Sequence, residues 1–315
     1  MDNVLELSPI RDPVRLPAIA GYRVVSKDIG ASGEAILLYA PLQEVAQVFG
    51  THEEAGQATF PRTHTDRAYH GMLSITNEIG STILDLPLLT ATFPMVQTLP
   101  GNRVLVVAAR CASRPGFNAR VYGPNGSLLD EFCLGDGIEH VQADSSGRVW
   151  VGYFDEGVLG RFGENGLVCY DSTGKKLWEF QRPEGVGPID DCYSLNVSDE
   201  AVWTCYYSEF PVVCIDPSYS VTAWETDFGG AKALAVCGDL VLIYTGRKGK
   251  KNECRLVRLR EGRAEDIADV ALRLPGGLDS TEITVIGRGK SLNVFVGDEW
   301  HIFEVPRLGA NERNS

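Results

Sequence analysis

Four pairs of residues in this sequence have the chemistry of a reactive or binding site. Glu139-His140 precedes one apolar run and Asp155-Glu156 follows the next; Asp190-Asp191 and Tyr206-Tyr207 flank a later pair of runs in the same way. Carboxylates gathered in one place repel. They either share a hard cation through oxygen ligands or raise one another's pKa into the range of general acid and base work. On that chemistry His140, Glu139 and Asp191 are the candidate catalytic groups, with His140 as base or ligand. Asp155, Glu156, Tyr206 and Tyr207 are candidate ligand-binding groups, the tyrosines offering an aromatic wall to a sugar or other flat molecule. Arg247, in the basic stretch TGRKGKKNE (245–253), supplies the opposite charge for an anionic ligand or acidic partner. Each cluster has a plain alternative: acids on solvated loops, a histidine serving as a strut, hairpin tips packed on a neighbour, an exposed basic turn.

These clusters are distant in the chain, so the fold must bring them together. Laying FPMVQTLPGNRVLVVAARC (93–111) over IEHVQADSSGRVWVGYFDE (138–156), an offset of 45, aligns Val96-Gln97 with Val141-Gln142 and Arg103-Val104 with Arg148-Val149. VYGPNGSLLDEF (121–132) over CYDSTGKKLWEF (169–180) aligns Tyr, Gly, Glu and Phe. Further copies begin near residues 194, 233 and 282, and a less regular one spans 22–87. A repeat near 45 residues, each with short β-rich runs joined by turn residues, is the mark of a propeller blade. First strands near residues 24, 96, 141, 195, 234 and 283 give six four-stranded antiparallel blades in a single domain, 1–315. The last unit ends early, at Val305, so the N-terminal strand, Asn3–Leu7, is expected to complete it and close the ring. In a propeller the loops leading into first strands share a face with the loops joining second to third strands. That rule places the four pairs on one face.

Residues 41–70 depart most from the repeat. PLQEVAQVF predicts a short amphipathic helix through Leu42, Val45, Val48 and Phe49, and the insertion is a candidate lid. It holds His52, His64 and His70 at a spacing that matches no zinc pattern.

ADSSGRVWVG (143–152) and VSDEAVWTC (197–205) resemble the Asp-x-x-Gly-x-x-Trp-Val hairpin of the six-bladed SMP-30/gluconolactonase and NHL-type propellers. In the lactonases of that group a divalent metal, calcium or another, sits at the channel mouth on a first-blade Glu and later Asn or Asp residues. The resemblance of GEA (33–35) and PIDDCYSLN (188–196) to those segments puts Glu34 and Asp190 forward as metal ligands. It implies a metal-dependent hydrolase in which the ion polarises a carbonyl. A small-molecule- or protein-binding propeller is the leading reading; that hydrolase and a metal-free cyclase or lyase are the alternatives.

The totals fit. A formal charge of −13 argues against a nucleic-acid groove, which needs clustered Lys and Arg. No apolar stretch is long enough for a signal peptide or a membrane span. The eight cysteines form no CxxC pair, which suits reduced thiols in a cytoplasmic protein, and the propeller is expected to be a monomer. A turn at Glu209-Phe210 is expected to set Cys205 opposite Cys214.

Overall fold

The computed structural model describes residues 4–53, 59–111, 116–246, 251–274 and 283–306. Inner strands such as Ala35–Pro41 and Val149–Tyr153 are buried along their whole length, as near-continuous apolar runs covered on both faces should be. Outer strands such as Leu128–Phe132 expose most of their residues. Each sheet therefore has two faces to cover, and neighbouring sheets cover them.

The result is a ring of six antiparallel blades. Blade one is Tyr22–Ile29, Ala35–Pro41, Tyr69–Thr76 and Ser81–Leu89. Blade two is Pro94–Leu99, Arg103–Ala108, Ala119–Tyr122 and Leu128–Phe132. Blade three is Ile138–Ala143, Val149–Tyr153, Leu167–Tyr170 and Lys176–Glu179. Blade four is Asp191–Val197, Val202–Tyr207, Val212–Ile215 and Val221–Trp224. Blade five is Ala233–Cys237, Leu240–Tyr244, Glu253–Arg260 and Arg263–Leu272. Blade six contributes Ile283–Arg288, Ser291–Val296 and Glu299–Glu304. An apolar cluster fills every junction between successive blades, and the one joining Phe295 and Trp300 to Leu37 and Tyr39 closes the circle.

Closure comes from the N-terminal segment, with a different strand from the one expected. Val14–Arg15 pairs antiparallel with Trp300 and Glu299 and supplies the fourth strand of blade six. Leu5–Leu7 instead runs parallel to Val270–Leu272 as a fifth strand on the outer edge of blade five. The apolar Leu5 and Leu7 read equally well against either edge; the Pro-rich SPIRDPVRLP that follows has the length to turn from one blade to the next.

The first-to-second hairpin of blade three and two outer hairpins share one device. Asp144, Asp171 and Asp216 each accept N–H bonds from residues two and four further on, at 2.8–3.0 Å. This Asx-type arrangement folds the turn locally. The third residue after each Asp has positive φ, and Gly147 and Gly174 take it without cost where Tyr219 does not.

The insertion forms a 3-10 turn, Leu42–Glu44, and one helical turn, Val45–Val48. Val48 is fully buried among Val25, Tyr69, Leu89 and Val96, whereas Leu42 and Phe49 stay exposed. The segment thus packs on blades one and two.

Candidate functional site

Three first strands carry one extra residue near their leading ends. The pairing of Ile29's strand shifts between Val24 and Ser26, that of blade three between Ile138 and His140, and that of blade four between Cys192 and Ser194. Such a bulge leaves one residue outside the ladder and re-aims its side chain. In blades three and four the extra residues are Glu139 and Tyr193. Glu139 stands at the mouth of the axial channel, and Tyr193 lies near Asp191 and Asp155.

That mouth opens into a cup of about 290 Å³ walled by Lys27, Asp28, Met95, Glu139, His140, Leu195, Lys232 and Thr284, so all six blades contribute. Its far end is shut by side chains that cross the axis. Gln142 of blade three donates to the Gly287 carbonyl of blade six (3.1 Å) and accepts from the Val197 N–H (2.8 Å) and Arg288 (3.1 Å). Arg288 also donates to the Ala143 carbonyl. Asn196 donates to the carbonyls of Leu234 and Gly289 and accepts the Gly289 N–H at 2.7 Å. Gln97 ties blade one to blade three, through the Ile29 carbonyl and the Ala143 N–H. Amides suit this role because each donates and accepts at once. Gly287 is required here: a Cβ would lie 2.0 Å from the Leu234 carbonyl oxygen.

Glu139, Asp155 and Asp191 form one electrostatic group. Partial burial, then the charges of Glu139 and Asp155, push the Asp191 carboxyl up to about 6. Beside them His140 is half-buried, its Nε2 sealed from solvent without a hydrogen-bond partner. Burial holds its imidazole below the ordinary value, against the opposing pull of Glu139, which suits a neutral ring. Deeper in the wall, burial lifts the Asp28 carboxyl to about 7, although it accepts the Ile29 N–H at 2.7 Å. Lys232 and Lys27 stand on the other side, on blades five and one.

Some expected residues leave the site. Glu156 pairs with Arg110 (2.7 Å), which also grips Asp136 through two bonds of 2.9 and 3.0 Å. Its charge is committed to the junction of blades two and three. Asp190 precedes its strand with its N–H donating to the Tyr207 carbonyl (2.8 Å), and its carboxylate is not among the charges acting on Asp191. Tyr206 and Tyr207 part company, as alternation along a strand demands. Tyr206 is fully buried and donates to the Gly187 carbonyl (3.1 Å). Tyr207 is 49% exposed and stacks on Tyr193 with ring centres 6.4 Å apart, and Phe210 packs against both. Arg247 lies outside the described residues. Cys205 pairs with Val212 and Cys214 with Trp203, so those thiols are not opposed.

The metal ligands inferred from resemblance do not meet. Glu34 follows the first-to-second hairpin of blade one, at the opposite face, and accepts the Thr98 hydroxyl at 2.5 Å. Asp190 belongs to the face with the cup. Among the described residues no three His, Cys, Asp or Glu side chains are grouped to hold one ion, so the donor set does not fit a resident divalent cation. His70 instead bonds Asp85 (2.7 Å) and the Tyr22 hydroxyl (2.8 Å). The described insertion residues do not line the cup.

Lys27, Asp28, Tyr193 and Lys232 were not singled out from sequence. Bulges hid Lys27, Asp28 and Tyr193: one extra residue reverses the inward–outward alternation, and the sequence carries no signal for it at Val25 or Tyr193.

Comparison with known proteins agrees with the architecture. The YxzG family profile matches residues 145–254, which span blade three to the third strand of blade five. A search of curated proteins finds no match. Virginiamycin B lyase from Staphylococcus aureus is similar in structure, with a TM-score of 0.50 and 11% identity over 94% of this chain and 99% of that one. Hsv2 of Kluyveromyces lactis gives 0.49 and 11% over 93% and 77%, and apo AztD from Citrobacter koseri gives 0.43 and 10% over 85% and 79%. At 11% identity the likeness to virginiamycin B lyase is one of fold alone. The chain is a six-bladed β-propeller, and no helix of its described residues is long and apolar enough to cross a membrane.

Proposed function

We propose that this protein is a ligand-binding propeller that takes a small dipolar molecule in its axial cup. The cationic end of the ligand faces Glu139 and Asp191, and the anionic end faces Lys232 and Lys27. The observation that supports this reading is the spread of charge around one open cup: Glu139, in one electrostatic group with Asp155 and Asp191, on one side, and Lys232 and Lys27 on the other, with Asp28 next to Lys27. Opposite charges at about 4 Å attract by about 4 kcal/mol at the effective dielectric of a protein surface, so a ligand of matching polarity is both oriented and held. Tyr193, Tyr207 and Phe210 offer a flat apolar surface at the acidic rim, where a cation over a ring gains about 0.5–2 kcal/mol.

A second reading has one observation in its favour. A carboxyl near 6, beside a histidine held neutral, is poised to accept a proton near neutrality. A metal-free lyase or cyclase would use Asp191 in that way, and the similar fold of a protein named virginiamycin B lyase is compatible with it. The metal-dependent hydrolase has less support, because its donors are not grouped.

Thermal shift at pH 7.5 with three matched probes tests the binding reading: glycyl-tyrosine as zwitterion, tyramine as cation and 3-(4-hydroxyphenyl)propionate as anion. The zwitterion should stabilise most, following RT ln(1 + [L]/Kd), about 2.7 kcal/mol at a hundredfold excess over Kd. Lys232→Gln should erase its advantage over tyramine, and Asp191→Asn its advantage over the anion. Equal shifts for all three, or shifts untouched by both substitutions, would overturn the proposal.

A further inference from the structure

Away from the cup, Cys111 and Cys133 place their sulfur atoms 3.9 Å apart. Cys111 follows the second strand of blade two and is buried; Cys133 follows the fourth and is half-exposed. Both ends are held. The Cys111 N–H donates to Asp136 (2.7 Å), and its single S–H has two acceptors in reach, the Gly116 carbonyl (3.2 Å) and the Cys133 sulfur. Asn118, buried between them in the chain, bonds the carbonyls of Ala108 and Gly135 and the Leu134 N–H at 2.8–2.9 Å. The two sulfurs are therefore presented to each other by a rigid frame.

Disulfide formation needs sulfurs about 2.05 Å apart, a closure that a side-chain rotation at the half-exposed Cys133 can supply. We propose that Cys111 and Cys133 form a peroxide-reactive dithiol, an oxidation site with Cys133 as attacking sulfur and Cys111 as resolving one. The inference is independent of the ligand reading.

Chemical inequality between the thiols supports the division of roles. The Cys111 thiol and the Gly135 N–H act on Cys133 and bring it down to about 6, while Cys111 is pushed up. Burial pushes Cys169 and Cys192 up to about 12, and Cys214 to about 11. A thiolate near neutral pH is the nucleophile in such chemistry. The Cys133 sulfur attacks one oxygen of hydrogen peroxide, the O–O bond breaks, and hydroxide leaves to become water. Cys133 is then a sulfenic acid. The Cys111 sulfur attacks it, the S–S bond forms, and hydroxide departs with the Cys111 proton as the second water. Two thiols are oxidised and one peroxide is reduced.

The full-length chain treated with dilute hydrogen peroxide at pH 7, then alkylated and digested, tests this. The expected result is a dithiothreitol-reversible cross-linked peptide joining residues 111 and 133, with free thiols falling from the eight of the sequence to six. It should form about tenfold faster than the exposed Cys237 is oxidised. Cys133→Ser should abolish the fast phase, and Cys111→Ser should let Cys133 advance to sulfinic acid. Oxidation of Cys237 at the same rate, or over-oxidation of Cys133 without a cross-link in the unsubstituted protein, would overturn it.

Discussion

Asp28 shows how one half-buried carboxyl can report on the cup. Its pKa of about 7 in the fold lies above the ordinary 3.8, so the folded state favours the protonated form. The sign follows: the group is harmless at pH 4, and its cost grows as pH rises from the ordinary carboxylate value through about 7, then stays constant. Asp28→Asn keeps an acceptor for the Ile29 N–H and removes that cost. The variant should match the parent near pH 4 and exceed it by about 1–3 kcal/mol at pH 8, measured by urea denaturation at several pH values. Comparing the two proteins cancels the opposite trend of His140 and His301, whose imidazoles are held low and which favour the fold as pH rises. Equal stability at every pH would show Asp28 to be solvated. The sequence pointed to Glu139, His140, Asp155 and Asp191 because loop position in a repeat decides which face a residue occupies. It could not point to Asp28 or Tyr193, whose direction depends on bulges, nor divert attention from Glu156, whose partner Arg110 belongs to another blade.

Strands and junctions carry the next level of explanation. Val-rich inner runs and Asp-capped turns made six blades readable from periodicity alone, because each blade forms largely from local pairing. Junction chemistry was not readable, since it joins residues of different repeats. Arg110 is an example: its side chain is 11% exposed, ringed by Asp136, Glu156 and the Phe154 face, whose centre is 5.6 Å from the guanidinium carbon. Removing it strands two carboxylates at the seam of blades two and three. Arg110→Ala should cost about 1–3 kcal/mol in chemical denaturation, and Glu156→Gln less than about 1 kcal/mol, because the Asp136 bonds survive. A larger loss for Glu156→Gln would assign that carboxylate a role beyond the pair.

At the level of the ring, stability depends on a short velcro. Val14–Arg15 covers the edge of Glu299–Glu304, Leu16 enters the last junction cluster, and Arg11 sits over the Trp300 ring at 5.4 Å. Deleting residues 1–16 uncovers that edge, the Trp300 ring and the outer edge of blade five that Leu5–Leu7 covers. The truncated chain should lose at least about 3 kcal/mol and self-associate through the bare strand, which denaturation and light scattering would detect. Unchanged stability would mean that the junction of blades six and one holds without its outer strand. The Gln142–Arg288 and Asn196 crossings have a different consequence. Because they block the axis, a guest in the proposed cup would have a single doorway, with arrival and departure sharing one route. Substitutions on the far side of the disk, around Glu34 or Pro100, should leave exchange kinetics alone, whereas bulk added at Met95 or Thr284 should slow uptake and release in step.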